Sequence, residues 1–332
     1  MTGTITARNV NEAFNIAVLS LRGGGLIEMP SRNGTVLMFR NPLVTAYKRP
    51  YERVLLSPER NCNPFFHFVE GLWMIAGRND LATLTEFAKK MADFSDDGVL
   101  VNGAYGYRWR NWFDNDQLAT AVKLLRANPY DRRVVLQMWD TTKDLDSSSK
   151  DVPCNTQVYF KAIPINDQVV LDMTVTNRSN DLIWGAYGAN AVHFSMVHEY
   201  VAAMSGCRMG TYYQISNNAH VYKEVWDPLE KKLPIGVPID PYDSGEIEAN
   251  EALVTDPETF GLELGLFFDW LHEGDFFGTS YSNRIFAGTA VPMVESWWLW
   301  KEGMLNDAID LAKTIKSLDW RKACVEWLQR KK

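Results

Sequence analysis

Cys154, in the run VPCNTQVYF, carries the most nucleophilic type of side chain in a sequence that holds four cysteines. Taken alone, a free cysteine is most often a small buried residue with an inert thiol. It becomes a nucleophile when cationic groups lower its pKa. Four arginines stand in loop-like sequence beside strand-like runs: Arg32, the pair Arg132-Arg133, and Arg178. Each by itself reads as a solvated charge, but gathered by a fold they make a fork that suits a phosphate. Glu70 differs, because it interrupts an apolar run where an unpaired carboxylate is costly.

The elements that must position these groups follow from periodicity and turn chemistry. Residues 9–21 carry apolar side chains at helical spacing and stop at the triple glycine 23–25, which predicts an opening helix. Residues 35–40 (TVLMFR) follow the turn-like Ser31-Arg32-Asn33-Gly34 and predict a strand, with Arg32 in the loop before it. Residues 64–76 (PFFHFVEGLWMIA) are apolar on nearly all sides and too long for a strand, so Glu70 is expected inside a buried helix. Residues 133–139 read as a buried strand. Residues 157–163 and 169–176 read as a hairpin closed by the turn 164–167. An apolar helix over 189–204 follows the glycines of WGAYG, and residues 210–216 form a further strand. Strands and helices alternate without a strict βαβ rhythm, which argues for an α+β fold with a mixed sheet.

Beyond residue 234 the texture changes. A loop rich in Pro, Asp and Gly leads to helical segments near 257–272, 292–302, 304–316 and 319–330. The expected division is residues 1–230 as a catalytic domain and 231–332 as a loop and helical extension packed on it. No fixed-period repeat supports a solenoid.

The chain of 332 residues is 46% hydrophobic and 23% charged, which excludes disordered, collagen-like and low-complexity classes. Its net charge of −7 argues against a protein that coats duplex nucleic acid with basic surface. Cysteines at 62, 154, 207 and 324 have neither the count nor the spacing of a disulfide framework or a zinc knuckle, so no metal is expected and a reducing cytoplasm fits. The first residues lack a basic region followed by an apolar run, and no apolar stretch approaches the roughly 20 residues that span a bilayer. Neither secretion nor membrane insertion is indicated.

Several motifs then occur in one order: Phe39-Arg-Asn-Pro-Leu-Val-Thr45, Val69-Glu-Gly-Leu-Trp73 with Gly77, Tyr105-Gly-Tyr-Arg-Trp109, Asp131-Arg-Arg133 leading to Trp139, Pro153-Cys154, Arg178-Ser-Asn-Asp181, Asn190, and His220-Val-Tyr222. In order and spacing, across roughly residues 10–225, they resemble the thymidylate synthase superfamily. The resemblance implies a curved mixed sheet with flanking helices and a homodimer whose active sites borrow two arginines from the neighbouring subunit. It implies that Cys154 adds to C6 of a pyrimidine deoxynucleoside monophosphate. Arg32, Arg178 and Ser179 would hold the 5′-phosphate, joined by Arg132 and Arg133 from the partner chain. His220 and Tyr222 would hold the 3′-hydroxyl, and Asn190 would read the base edge. Asp181 would touch the pterin of 5,10-methylenetetrahydrofolate, Glu70 would organise water and protons, and Tyr105 belongs with these catalytic residues.

The implied chemistry is coherent. Thiolate addition at C6 turns C5 into an enolate-like carbon that can bond to a methylene group. Loss of the C5 proton and of the folate leaves an exocyclic methylene. Hydride then gives a methyl group, whereas water gives hydroxymethyl. Departures from the family's pattern choose between these branches. Asn155 stands after the nucleophile where thymidylate synthases carry His, Met91 and Phe94 stand where they carry Trp, and Leu-Gln-Arg-Lys-Lys replaces their short apolar tail. A site without that aromatic wall and lid admits water more readily, which favours the hydroxymethylase branch found in phages. Asn190 favours dUMP, because cytosine-specific members carry Asp; one residue more than the family's spacing separates Asp181 from Asn190. The alternatives are a dCMP hydroxymethylase, a thymidylate synthase, and a non-catalytic nucleotide-binding relative.

Overall fold

The computed structural model describes residues 3–274 and 281–331. In chain order the elements are β1 (Thr4–Ala7), α1 (Val10–Arg22), β2 (Ile27–Ser31), β3 (Gly34–Met38), β4 (Leu43–Tyr47), α2 (Pro64–Ile75), α3 (Leu81–Phe87), the single turn α4 (Tyr105–Tyr107), α5 (Gln117–Ala127) and β5 (Val135–Gln137). There follow β6 (Asn155–Ile165), β7 (Gln168–Asn177), β8 (Asn180–Asp181), α6 (Asn190–Ser205), β9 (Arg208–Ser216), β10 (Ala219–Tyr222) and α7 (Lys223–Glu230). The chain closes with α8 (Phe260–Glu273), α9 (Val291–Lys301), α10 (Leu305–Ala312) and α11 (Leu318–Gln329).

Local chemistry sets the boundaries. The Asn9 side chain accepts the amides of Asn11 and Glu12 to open α1, and Gly24 and Gly25 end it at φ +76° and +77°. Asn63 caps α2 through the Phe66 amide, with Pro64 at its first position. The β6–β7 hairpin is tighter than the expected four-residue turn, because Asn166 and Asp167 both adopt positive φ (47° and 61°) and close a two-residue loop. The strand expected over 133–139 shrinks to β5. At its start the Arg133 amide bonds to Asp131 Oδ1 instead of the ladder. At its end the amides of Met138 and Trp139 share the Thr156 carbonyl, opposite a register shift between Asn155 and Gln157. The helix expected from 189 begins at Asn190, after a wide π-type turn over Leu182–Ala189.

Two sheets result. The larger is mixed and six-stranded, in the order β1-β4-β9-β7-β6-β5, and the smaller runs β2-β3-β10-β8. In the larger sheet the cross-strand row Thr45, Gln214, Val175, Val158 and Leu136 is buried. The helix α6, buried at nearly every position of its first two turns, contacts this sheet and α2. The next row, Tyr213, Thr174, Tyr159 and Val135, points away from the core, and Tyr159 and Val135 are exposed. One sheet face is therefore covered by helices and the other carries uncovered aromatic and β-branched side chains.

The C-terminal helices build an aromatic cluster on the outer side of α2. Trp297 and Trp327 each lie 5.6 Å from Phe65 between ring centroids, and Trp320 lies 5.0 Å from Phe68. Thus α2 is held between α6 and the tail. Among the described residues no helix is long and apolar enough to cross a membrane.

Candidate active site

Cys154 sits at the mouth of β6, where the hairpin brings it against the residue that follows β7. The Arg178 amide donates to the Cys154 carbonyl at 2.9 Å. The Arg178 guanidinium then folds back onto the carbonyls of Pro153 (2.8 Å) and Val152 (2.9 Å), with Nη2 3.8 Å from Sγ. It also lies 5.5 Å from the Trp139 ring. Burial pushes the Cys154 thiol above its ordinary pKa; Arg178 and Arg32 oppose that rise, whereas Asp151 and Asp181 add to it. Two cations thus stand beside the thiol.

Arg32 reaches this cluster from the turn between β2 and β3, donating to the carbonyls of Ser149 (3.1 Å) and Lys150 (3.0 Å). Ser179 follows Arg178 at the same strand end and is half-buried. Arg32 and Arg178 thus converge as expected. Arg132 and Arg133 do not join them within one chain. Both are exposed before β5, Arg133 pairs with Asp131 at 2.7 Å, and among the described residues no hydrogen bond or ion pair links either to Cys154, Arg32 or Arg178.

The small sheet supplies the opposite wall. Parallel pairing of β8 with β10 sets Asp181 beside His220. Asp181 Oδ1 accepts the Trp184 amide at 2.5 Å, whereas Oδ2 is buried with no partner. Burial raises the Asp181 carboxyl pKa, against the Trp184 amide and nearby His220. The His220 ring lies 5.4 Å from the Tyr222 ring and directs Nδ1 at the Asn218 carbonyl, 3.2 Å away, which leaves Nε2 for another partner. Burial raises the Tyr222 phenol; the side chains of Asn33 and Ser31 oppose that rise, and Asp181 and Cys154 add to it.

Glu70 projects from α2, half-buried, with Oε2 3.1 Å from His193 Nε2. His193 is a neighbour that sequence reasoning missed; the available signal was its place one turn after Asn190, on the same face of α6. Asp151 was missed as well. Its Oδ2 accepts the Gly103 amide at 2.7 Å, and a Cβ on Gly103 would come within 2.6 Å of the carboxylate, so a side chain there would displace Asp151. Burial raises the Asp151 carboxyl, with the nearby charges of Asp96 and Glu70 adding to the rise. The Tyr105 hydroxyl lies against Asn155, and burial raises its pKa, with Cys154 and Asp151 contributing. Asn190 opens α6 with its amide buried, Nδ2 donating to Asn180 Oδ1 at 3.1 Å.

The arrangement is a thiol beside two guanidiniums, walled by a carboxyl, an imidazole and a phenol, with a second carboxylate at its back. The thymidylate synthase family model matches residues 52–244, which take in every residue above except those of the turn that carries Ser31, Arg32 and Asn33. The chain belongs to the thymidylate synthase family. It is 44% identical, over 99% of its length and 94% of the relative's, to a protein of Pseudomonas phage M6 described as deoxyuridylate hydroxymethyltransferase. It is 34% identical to a protein of Bacillus phage SP01 with the same description, over 70% of this chain and 68% of that one. A thymidylate synthase of Streptococcus suis is 30% identical over 49% of this chain and 58% of its own. The match to the M6 protein therefore extends through the C-terminal helices that the family model leaves out.

Family members use a folate one-carbon donor, and two features of this chain fit one. Asp181 Oδ2 is a buried acceptor with no partner, suited to an N–H of a pterin. Beside it the Trp184 indole is 54% exposed, backed at 4.3 Å by the Arg60 guanidinium, which the Ile183 carbonyl holds at 2.7 and 2.9 Å. An exposed ring stiffened from behind suits stacking with a planar group.

Proposed function

We propose that this chain is a deoxyuridylate hydroxymethyltransferase that converts dUMP to 5-hydroxymethyl-dUMP. The observation that carries the reading is Cys154 Sγ, 3.8 Å from a guanidinium and flanked by a second, in a chain 44% identical throughout to a phage protein of that description. In this reading Arg32, Arg178 and Ser179 take the 5′-phosphate, and its arrival fixes the pyrimidine over the thiol. His220 Nε2 and the Tyr222 hydroxyl take the sugar 3′-hydroxyl. Asn190 takes the base edge. The Cys154 thiolate adds to C6, its electron pair forming the S–C6 bond while the C5=C6 π pair is released to C5, which becomes the nucleophile.

Bound 5,10-methylenetetrahydrofolate would supply the methylene carbon that joins C5, with Asp181 and Trp184 holding its ring system. Glu70, with His193 and Asp151 behind it and Tyr105 across the thiol, holds the water and moves the protons on this side of the base. Once C5 has lost its proton and tetrahydrofolate has departed from the one-carbon unit, C5 bears an exocyclic methylene, and water adds to that carbon. The C6–S bond breaks, and Cys154 is restored.

The uncovered face of the larger sheet supports a homodimer, because Tyr159, Val135 and their row leave apolar surface that a second copy would bury. Arg132 and Arg133 stand exposed at the edge of that face, where in this reading they complete the phosphate site of a partner, Arg133 held in place by its pair with Asp131. Residues 231–332 act in this reading as an extension that braces α2 and so holds Glu70. Free thiols at all four cysteines support a reducing compartment such as a cytoplasm.

Mass spectrometry of the product from dUMP and methylenetetrahydrofolate tests the reaction. Addition of CH2O with tetrahydrofolate returned is the expected result. Addition of CH2 with dihydrofolate formed would make the chain a thymidylate synthase, and turnover of dCMP in preference to dUMP would overturn the choice of base.

A further inference from the structure

The Asn190 amide is the end of a buried chain of amides. Its Nδ2 donates to Asn180 Oδ1 at 3.1 Å, and Asn180 Nδ2 donates to Gln214 Oε1 at 2.9 Å and to Ser216 Oγ at 3.0 Å. Gln214 Nε2 donates to the main-chain carbonyl of Ala186 at 3.2 Å and to Tyr47 Oη at 3.3 Å, and the Tyr47 hydroxyl donates to that same carbonyl at 2.9 Å. Asn180, Gln214, Ser216 and Tyr47 are each 3% exposed or less.

A main-chain carbonyl can only accept. Gln214 must therefore turn its NH2 toward Ala186 and its oxygen toward Asn180. Asn180 must then offer NH2 to Gln214 and oxygen to Asn190, and Asn190 must face Asn180 with NH2. Reversing one amide sets two oxygens against each other where no water can intervene. Ser216 and Tyr47 do not impose this polarity, since a hydroxyl both donates and accepts. The junction is also sterically closed: a Cβ on Gly185 would lie 2.6 Å from Asn180 Oδ1 and 3.2 Å from Asn190 Nδ2.

We propose that Gln214 and Asn180, anchored on the Ala186 carbonyl, are specificity-determining residues that fix the polarity of Asn190. With one Nδ2 hydrogen committed to Asn180, Asn190 is left with Oδ1 and the hydrogen cis to it. That edge matches the N3–H donor and O4 acceptor of uracil and opposes the N3 acceptor and N4 donor of cytosine. To accept cytosine the amide would have to turn over, placing its oxygen on Asn180 Oδ1. The inference rests on the reading of Asn190 as the group that meets the base. It moves the basis of selection from Asn190, which alone can face either way, to two residues behind it.

The test measures dUMP and dCMP binding to the full-length chain by calorimetry, without folate, so it is independent of the one-carbon chemistry. The variants are Gln214→Met, which keeps the shape and removes the polar ends, and Asn180→Ala. Each is expected to lower the dUMP-to-dCMP preference roughly tenfold by freeing the Asn190 amide to turn. Gln214→Glu should keep the preference within about threefold, because a protonated carboxyl donates to Ala186 and still accepts from Asn180. If Asn180→Ala does not fold, Gln214→Met carries the test. Equal weakening of both nucleotides, with the ratio unchanged, means a general packing role and overturns the proposal. Asn190→Ala separates the two layers: if it erases the preference while the other variants preserve it, the relay falls and the base reader stands. If it too leaves the preference intact, both fall.

Discussion

Asp144→Leu should destabilise the protein severely, because it strands the arginine of the Tyr105-Gly-Tyr-Arg-Trp109 run. The Arg108 and Asp144 side chains are both 0% exposed and meet through two bonds, Nη1 to Oδ2 at 2.6 Å and Nη2 to Oδ1 at 3.0 Å. Arg108 also donates to the carbonyls of Asn102 (3.0 Å) and Met138 (2.9 Å) and lies 4.4 Å from the Trp112 ring. Removing the carboxylate leaves a buried guanidinium whose remaining partners are neutral, which costs about 3 to 5 kcal/mol. Asp140, whose amide also bonds Asp144 Oδ2 at 2.8 Å, loses its anchor as well. The double variant Arg108→Met with Asp144→Leu should recover part of the loss, since no charge is then buried. Recovery stays incomplete because two carbonyls lose their donor, at about 1 to 3 kcal/mol each. Equilibrium urea unfolding of the two single variants and the double one gives the coupling energy. The effect should also reach the substrate, for residues 140–151 carry the Ser149 and Lys150 carbonyls that hold Arg32, so KM for dUMP should rise. A loss below about 1 kcal/mol for Asp144→Leu, or a double variant weaker than the sum of the singles, would refute this account of the pair.

Cys154→Ser should abolish turnover and leave dUMP binding, because an unactivated hydroxyl is a far poorer nucleophile than a thiolate; substantial product from the variant would remove Cys154 from the mechanism. Arg132→Ala and Cys154→Ser, each inactive alone, should together regain about a quarter of wild-type activity after free exchange, since half the dimers are then mixed and each has one intact composite site; no rescue despite demonstrated exchange would rule out shared sites. His198 should make the protein acid-sensitive. Its Nε2 lies 2.6 Å from the Leu171 carbonyl, and burial pushes its pKa down to about 4. The depressed value means that its contribution is full above the ordinary histidine range and is lost as pH falls from about 6.5 toward about 4, on the order of 3 kcal/mol in all. Urea midpoints measured across that interval should flatten in His198→Gln, and an unchanged slope would show that another group is responsible.

The meeting of Cys154 and Arg178 was legible before any coordinates, because a hairpin is an arithmetic object. Residues equally far from its turn stand face to face, so a turn around 164–167 returns the chain to within a residue of 178 opposite 154; the loop at 166–167 alone would set 154 against 179, and the register shift between Asn155 and Gln157 moves its partner to Arg178. Helix α2 was legible too, since an apolar run over 64–76 is too long for a strand, and the structure adds the Asn63 cap that starts it. The approach of Arg32 was not. It depends on β2, β8 and β10, strands of two to five residues whose partners are distant in sequence, and such strands are chosen by tertiary pairing more than by their own composition. Asp151 and His193 escaped for a related reason. A single Asp or His is common, and only the carboxylate, amide or thiol the fold sets beside it makes it unusual.

The segment between Asp181 and Asn190 is where spacing and structure bear on each other most closely. One residue beyond the spacing that the resemblance implies, inserted in a regular helix, would rotate everything after it by about 100° and, in the proposed reading, carry Asn190 off the base. Here the surplus is taken up by the wide turn over Leu182–Ala189, in which Tyr187 and Gly188 leave helical geometry (ψ 22° and −112°). The turn is not slack: Tyr187 is buried with its hydroxyl 3.0 Å from Thr45 Oγ1, and Asp181 Oδ1 pins its start through the Trp184 amide. The same turn directs the Ala186 carbonyl inward, where Tyr47 and Gln214 both donate to it. The turn thus leaves Asn190 in contact with Asn180, and it supplies the fixed acceptor from which, in the proposed relay, the polarity of Asn190 follows.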